Sequence, residues 1–158
     1  MRIELVSKLG ARLPGDGAPL QFGATEADAR RRLESQIGPA QTSFASGMSW
    51  AWRARIGDRW VEASAGGDGL LAEIRVVRAM IEAEADDAAG IPVLYRGIDV
   101  FEHTMAEIEF LLGAGAGAGA DTGTSTGVSD LRLTGVSSGY ALSVTLLDLT
   151  RPQPQPRG

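Results

Sequence analysis

The feature that most constrains the fold of this chain is an internal echo. The run Phe22-Gly23-Ala24-Thr25-Glu26-Ala27-Asp28-Ala29, closing on Leu33, returns as Phe101-Glu102-His103-Thr104-Met105-Ala106-Glu107-Ile108, closing on Leu112. Each matched pair lies 79 positions apart, half of the 158-residue chain. The simplest architecture is two copies of one α/β unit, neither of which buries its apolar face well alone. The expected organisation is a first unit over 1–80, an acidic connector over 81–90, a second unit over 91–150 and a disordered tail over 151–158.

The echo is physically a helix start. In Thr25-Glu26-Ala27-Asp28 the hydroxyl can accept a free amide of the first helical turn, and Asp28 can reach back to the cap amide. Thr104-Met105-Ala106-Glu107 repeats the arrangement. Ala29, Leu33 and Ile37 form the apolar stripe of the first helix, with Arg30, Arg31, Arg32 and Glu34 on its solvated side, until Gly38-Pro39 ends it. Ile108, Leu111 and Leu112 form the stripe of the second helix, which ends at Gly113.

Beyond the first helix the period becomes alternating. Gly57-Asp58 is a two-residue hairpin turn, which sets Ile56 opposite Arg59, Ala54 opposite Val61 and Trp52 opposite Ala63. The turn Gly66-Gly67-Asp68-Gly69 sets Ala65 opposite Leu70, Ala63 opposite Ala72 and Val61 opposite Ile74. One face of this meander then carries Ala54, Ile56, Val61, Ala63, Ile74 and Val76, with Trp50 and Trp52, and suits packing against a helix. The other face holds Arg53, Glu62 and Glu73 in one row and Arg55, Trp60 and Arg75 in the next, with Leu71 nearby. In this register Trp60 lies between two guanidinium groups. Because tryptophan and arginine dominate protein interface hot spots, Trp60, Arg55, Arg75 and Leu71 are the expected centre of a partner-binding surface, flanked by Arg53, Glu62 and Glu73.

The remaining segments offer little chemistry. Glu82 to Gly90 is acidic and alanine-rich, and Asp86-Asp87 reads as a solvated pair. Residues 113–128 read as a long Gly/Ala/Thr-rich loop. Its glycine-alanine tract follows a helix instead of opening one, so it is no dinucleotide fingerprint. Asp121-Thr122-Gly123 lacks the apolar residues that hold a protease aspartate. Leu131 to Leu133 and Tyr140 to Leu146 read as two further strands joined through Ser137-Ser138-Gly139, and the tail from Arg151 is polyproline-like. His103 is the only histidine and reads as a surface residue.

With no cysteine there is no disulfide, thiolate metal site or cysteine nucleophile. The net charge of −5 disfavours a nucleic-acid binder and favours a basic partner. The opening residues lack an uninterrupted signal-peptide core, and no segment is apolar enough to span a membrane, so a cytoplasmic protein is expected. Two tandem units of capped helix and meander, with Phe-x-x-Thr-x-Ala-Asp/Glu starts and a tryptophan-bearing sheet, resemble the β-lactamase inhibitory proteins and related tandem-repeat modules. The chain is also similar to immunity-type proteins of GC-rich bacteria. The resemblance implies a protein that presents a sheet face to another protein. The expected fold is α+β, two related helix-plus-antiparallel-meander units with helices on one face of an antiparallel sheet. The expected function is non-catalytic binding of another protein or of a second copy, with no cofactor and no metal. The alternative is a small molecule held in an apolar pocket beside Trp50 or Trp52.

Overall fold

The computed structural model describes residues 1–43, 49–78, 90–112, 125–128 (backbone alone), 130–135 and 139–151. The expected connector over 81–89, the loop over 113–124, the turn at 137–138 and the tail over 152–158 lie outside the described residues.

In chain order the elements are β1 (Ile3–Val6), β2 (Gly10–Arg12), β3 (Leu20–Gln21), α1 (Glu26–Gln36), β4 (Gln41–Thr42), β5 (Ala51–Ile56), β6 (Arg59–Ala65), β7 (Leu71–Arg78), β8 (Val93–Tyr95), β9 (Ile98–Asp99), α2 (Met105–Leu112), β10 (Ser125–Val128), β11 (Leu131–Gly135) and β12 (Ala141–Leu147). The class is α+β. The strands form a mixed five-stranded sheet, β3-β2-β1-β8-β9, and a seven-stranded antiparallel sheet, β10-β11-β12-β7-β6-β5-β4. In the second, six strands form the meanders and the two-residue β4 sits at the edge.

The halves of the chain meet twice. β7 pairs antiparallel with β12, setting Arg75 opposite Thr145, and β1 pairs parallel with β8, setting Leu5 beside Tyr95. The small sheet was not legible in the sequence, because its strands are two to four residues long and carry almost no alternation. It supplies Ile3, Leu5, Leu20, Val93 and Tyr95 to one continuous core with Ala29 and Leu33 of α1, Ile108 of α2 and the inward rows of the large sheet. Those rows are in register across the join, as Ala54, Val61, Val76, Val144 and Leu133 lie side by side.

Both caps form. The Thr25 hydroxyl accepts from the Asp28 amide at 3.3 Å, but the Asp28 carboxylate pairs with Arg31 and not with the cap amide. At α2 the box is complete: Thr104 Oγ1 accepts from the Glu107 amide at 3.2 Å, and Glu107 Oε2 accepts from the Thr104 amide at 2.9 Å. That amide, foremost, holds the Glu107 carboxyl below its ordinary range. On α2 Ile108 is buried as expected and Met105 is buried with it, while Leu111, also expected on the stripe, is exposed.

The first hairpin has the expected register, with Gly57 at a positive φ of 54° in its turn. The second differs. The turn pairs Gly66 with Leu70 and so sets Ala65 opposite Leu71, one step from the expected partner, and a bulge between Ser64 and Ala65 adds a second step, so Val61 faces Val76 and Glu62 faces Arg75. A shift of two preserves which face each side chain occupies. The bulge recurs 70 positions later, between Thr134 and Gly135, where Gly135 faces Ala141. The last four residues of the expected loop, Ser125–Val128, form edge strand β10.

Two polar junctions lie inside this core. Tyr95, fully buried, donates to Asp130 Oδ1 at 2.7 Å, and Ser7 donates to the other carboxylate oxygen, tying the small sheet to the β10–β11 turn. Arg59, 4% exposed, and Arg78 face each other across β6 and β7 and both lie against Phe101, with guanidinium carbons 4.6 and 4.8 Å from the ring centre. Like charges directly opposite are unfavourable, and here Asp58 pairs with Arg59 while Arg78 donates to the carbonyls of Ala141 and Phe101.

Two outcomes follow. Leu71→Ala empties a fully buried site, and urea unfolding should show a loss of about 2–5 kcal/mol. Burial, then the hydrogen bond to Asp130, pushes the Tyr95 hydroxyl up from 10.0 to about 12. The folded form therefore favours the protonated phenol, and that contribution is present below pH 10 and lost as pH rises from 10 towards 12. Tyr95→Phe should abolish this alkaline dependence and cost about 1–3 kcal/mol at neutral pH, because Asp130 loses a buried donor.

Candidate functional site

Alternation in the large sheet creates its second face. With inward positions filled by the core, Arg53, Glu62, Arg75, Thr145 and Arg132 fall in one outward row across β5, β6, β7, β12 and β11. The adjacent row is Arg55, Trp60, Val77, Ser143 and Thr134, and a third carries Ser64, Glu73 and Leu147. Strands lie about 4.8 Å apart, so the four steps from Arg53 to Arg132 span about 19 Å.

Six of the seven residues expected at a binding surface share this face, and one does not. Leu71 is 0% exposed. Beyond the bulge the chain turns inward, and Leu71 pairs with the segment leading into α1, its amide donating to Ala24 O and its carbonyl accepting from Gly23 N, both at 2.9 Å. Glu62 is on the face but only 6% exposed, so it supports the surface from beneath. Arg75 donates to its Oε1 at 3.1 Å and Ser43 donates to Oε2. The two-residue register shift causes this pairing, since it moves Glu73 away from Glu62 and brings Arg75 opposite.

Trp60 is half-buried. It does not lie between Arg55 and Arg75. Arg53, one strand over and one row along, stacks on the indole with its guanidinium carbon 4.5 Å from the ring centre. Arg55 lies directly opposite Trp60 but donates its Nε to Gly57 O at 3.0 Å, and the neighbour on the other side is Val77. An indole beside a valine, topped by a guanidinium, is an amphipathic spot worth roughly 0.5–1 kcal/mol in cation–π attraction alone. Arg132, exposed at the far end of the row, escaped the sequence reading because its strand had not been joined to the first meander.

The backbone of Glu73 pairs with Ser64 and Leu147, and its side chain shows no hydrogen bond among the described residues. Burial raises its carboxyl above the ordinary range, against the opposing pull of Arg75 and Arg132. Arg53 and Arg75 each hold an Nε that is buried without a partner among the described residues. The face therefore combines partly or fully exposed guanidinium groups, a carboxyl whose ionisation burial opposes and an aromatic centre.

Elsewhere the surface is less organised. A depression of about 490 Å³ beside Trp52 is open and lined by Glu26, Arg30, Arg31 and Glu34. The Trp52 indole is already engaged, donating to Glu26 at 2.9 Å under Arg30, and Trp50 donates to Gly69 O at 2.8 Å. On α2, Phe110 is 85% exposed and Leu111 and Ala106 line an apolar depression with His103, whose Nδ1 lies 3.4 Å from Glu107. Among the described residues no cluster of three or more His, Asp or Glu is placed to hold a metal, and no helix is long and apolar enough to cross a membrane.

No family model, curated protein or solved structure matches the chain.

Glu73 provides a direct check on the face. A carboxyl raised by burial destabilises the fold once ionised, so stability is fullest below the unfolded value near pH 4 and falls as pH rises through the folded value. Glu73→Gln should therefore raise the melting temperature at pH 7, and the gap should close below about pH 4.

Proposed function

We propose that this chain is a non-catalytic protein-binding module of the inhibitor or immunity type, working in the cytoplasm, and that it binds through the outward face of its seven-stranded sheet. The carrying observation is Trp60: half-buried, flanked by Val77, capped by Arg53, and set beside Arg55 and Arg75. Hot spots combine such an anchored aromatic with arginine, in a setting that excludes water once the partner arrives. The binding set is Trp60, Arg53, Arg55 and Arg75, with Glu62 and Glu73 beneath and beside them.

The same reading takes the chain as two related units, and the recurrence of features supports it. The bulges lie 70 positions apart, as do Gly69 and Gly139, which share a positive φ of 79° and 83°. The chain at each helix start is hydrogen-bonded at or just before the last strand of its own half: Leu71, first in β7, donates to Ala24, and Met105, first in α2, donates to Gly139, two residues before β12. The resemblance to β-lactamase inhibitory proteins likewise implies tandem units that present a sheet face to another protein. The small-molecule alternative has less support, since the depression beside Trp52 is open and charged where an apolar pocket was expected.

The test is capture of partners from native lysate by the wild-type chain, by Trp60→Ala, and by Arg31→Ala on the exposed side of α1. A partner held by the wild type should be retained by Arg31→Ala and weakened at least about ten-fold by Trp60→Ala. Equal retention by all three would refute the assignment of the face.

A further inference from the structure

The chain-wide charge of −5 points to a basic partner, but the local charge on the sheet face has the opposite sign. Arg53, Arg55, Arg75 and Arg132 stand there against Glu62 and Glu73, an excess of two positive charges on an otherwise acidic molecule. We propose that the partner docks an acidic segment on this face, its carboxylates meeting the row Arg53, Arg75, Arg132 and an apolar or aromatic side chain covering Trp60 and Val77. This rests on the reading of the face as a binding surface and adds the chemistry of what it binds.

Geometry carries the inference beyond the count of charges. The three arginines of the row sit on every second strand, about 10 Å apart, so each can take its own carboxylate without crowding the next. Glu62 is already paired with Arg75, accepts from Ser43 and lies beneath the surface, where it orients the Arg75 guanidinium, which stays 40% exposed. Arg53 is held flat on Trp60, which fixes its guanidinium before a ligand arrives. Preorganised guanidinium groups favour planar, bidentate oxygen ligands. The positive field of the face also speeds encounter with an acidic surface while the remaining negative charge of the molecule repels it elsewhere.

A phosphate backbone offers oxygens too, but it repeats its charge every few ångströms and would place some of that charge over Glu62 and Glu73. A protein segment can space its carboxylates to fit, so an acidic polypeptide is the favoured occupant.

Panning a random peptide display library on the immobilised full chain at low salt tests this. The variants are Trp60→Ala and the double reversal Arg55→Glu/Arg132→Glu at two exposed positions, each confirmed as folded by circular dichroism. Enriched peptides should be acidic, should carry an apolar or aromatic residue, and should lose at least about ten-fold in retention on either variant. Their retention should also fall with added salt. Trp60-dependent peptides that are neutral or basic would overturn the acidic partner and leave the face standing. Peptides indifferent to Trp60 would overturn both. A 20-nucleotide oligothymidylate that binds with the same arginine dependence and displaces the peptides would overturn the proposal in favour of nucleic acid.

Discussion

The pairing of β7 with β12 is the interaction on which the rest of the structure depends. Each half brings a short antiparallel meander with one apolar side, and that side gains stability only when other elements cover it. Joined edge to edge, the two halves form one sheet, with the inward rows running unbroken through Val61, Val76, Val144 and Leu133. The join also removes two exposed strand edges, which would otherwise invite pairing with other chains. The parallel pairing of β1 with β8 repeats the union in the smaller sheet, so neither half can leave without opening both.

That union is also what creates the candidate site. A face with Arg53, Glu62 and Arg75 alone would be a small, nearly neutral patch on three strands. Placing β12 and β11 beside it extends the row to Thr145 and Arg132, lengthens the basic track and puts Val77 at the middle of the sheet and not at its edge. Within the row, the turn and the bulge at Ser64 and Ala65 decide the electrostatics. In the register expected before the turn and the bulge each add a step, Glu62 would face Glu73, two carboxylates directly opposed; with both steps Glu62 faces Arg75, and Glu73 lies opposite Ser64. The turn and the bulge together thus replace a repulsive pair with a salt bridge.

Much of this was legible in the residues, because it rests on local rules. Thr25 and Thr104 announce helix starts through hydroxyls that satisfy amides a few positions away, and both do so here. Gly57 fixes the first hairpin because the turn needs a positive φ, and the register from Trp52 to Ala63 follows. Apart from Leu71 beside the bulge, the inward and outward sets of the meander survive even the two-residue shift, since side chains alternate with a period of two. Arg59 was also within reach: the register that set it opposite Ile56 placed it on the inward face, and its burial against Phe101 follows from that position.

What the sequence determined by itself was therefore the nature of its local elements and which side of each strand is apolar, because caps, tight turns and alternation act between residues only a few positions apart. Only the tertiary structure decided that Leu71 is interior, that Arg53 and not Arg55 or Arg75 covers Trp60, and that Arg132 belongs to the same surface. Those outcomes depend on a bulge and on a pairing between strands some 70 positions apart, where the order of neighbours is set by burying both halves in one core and not by anything either strand carries alone.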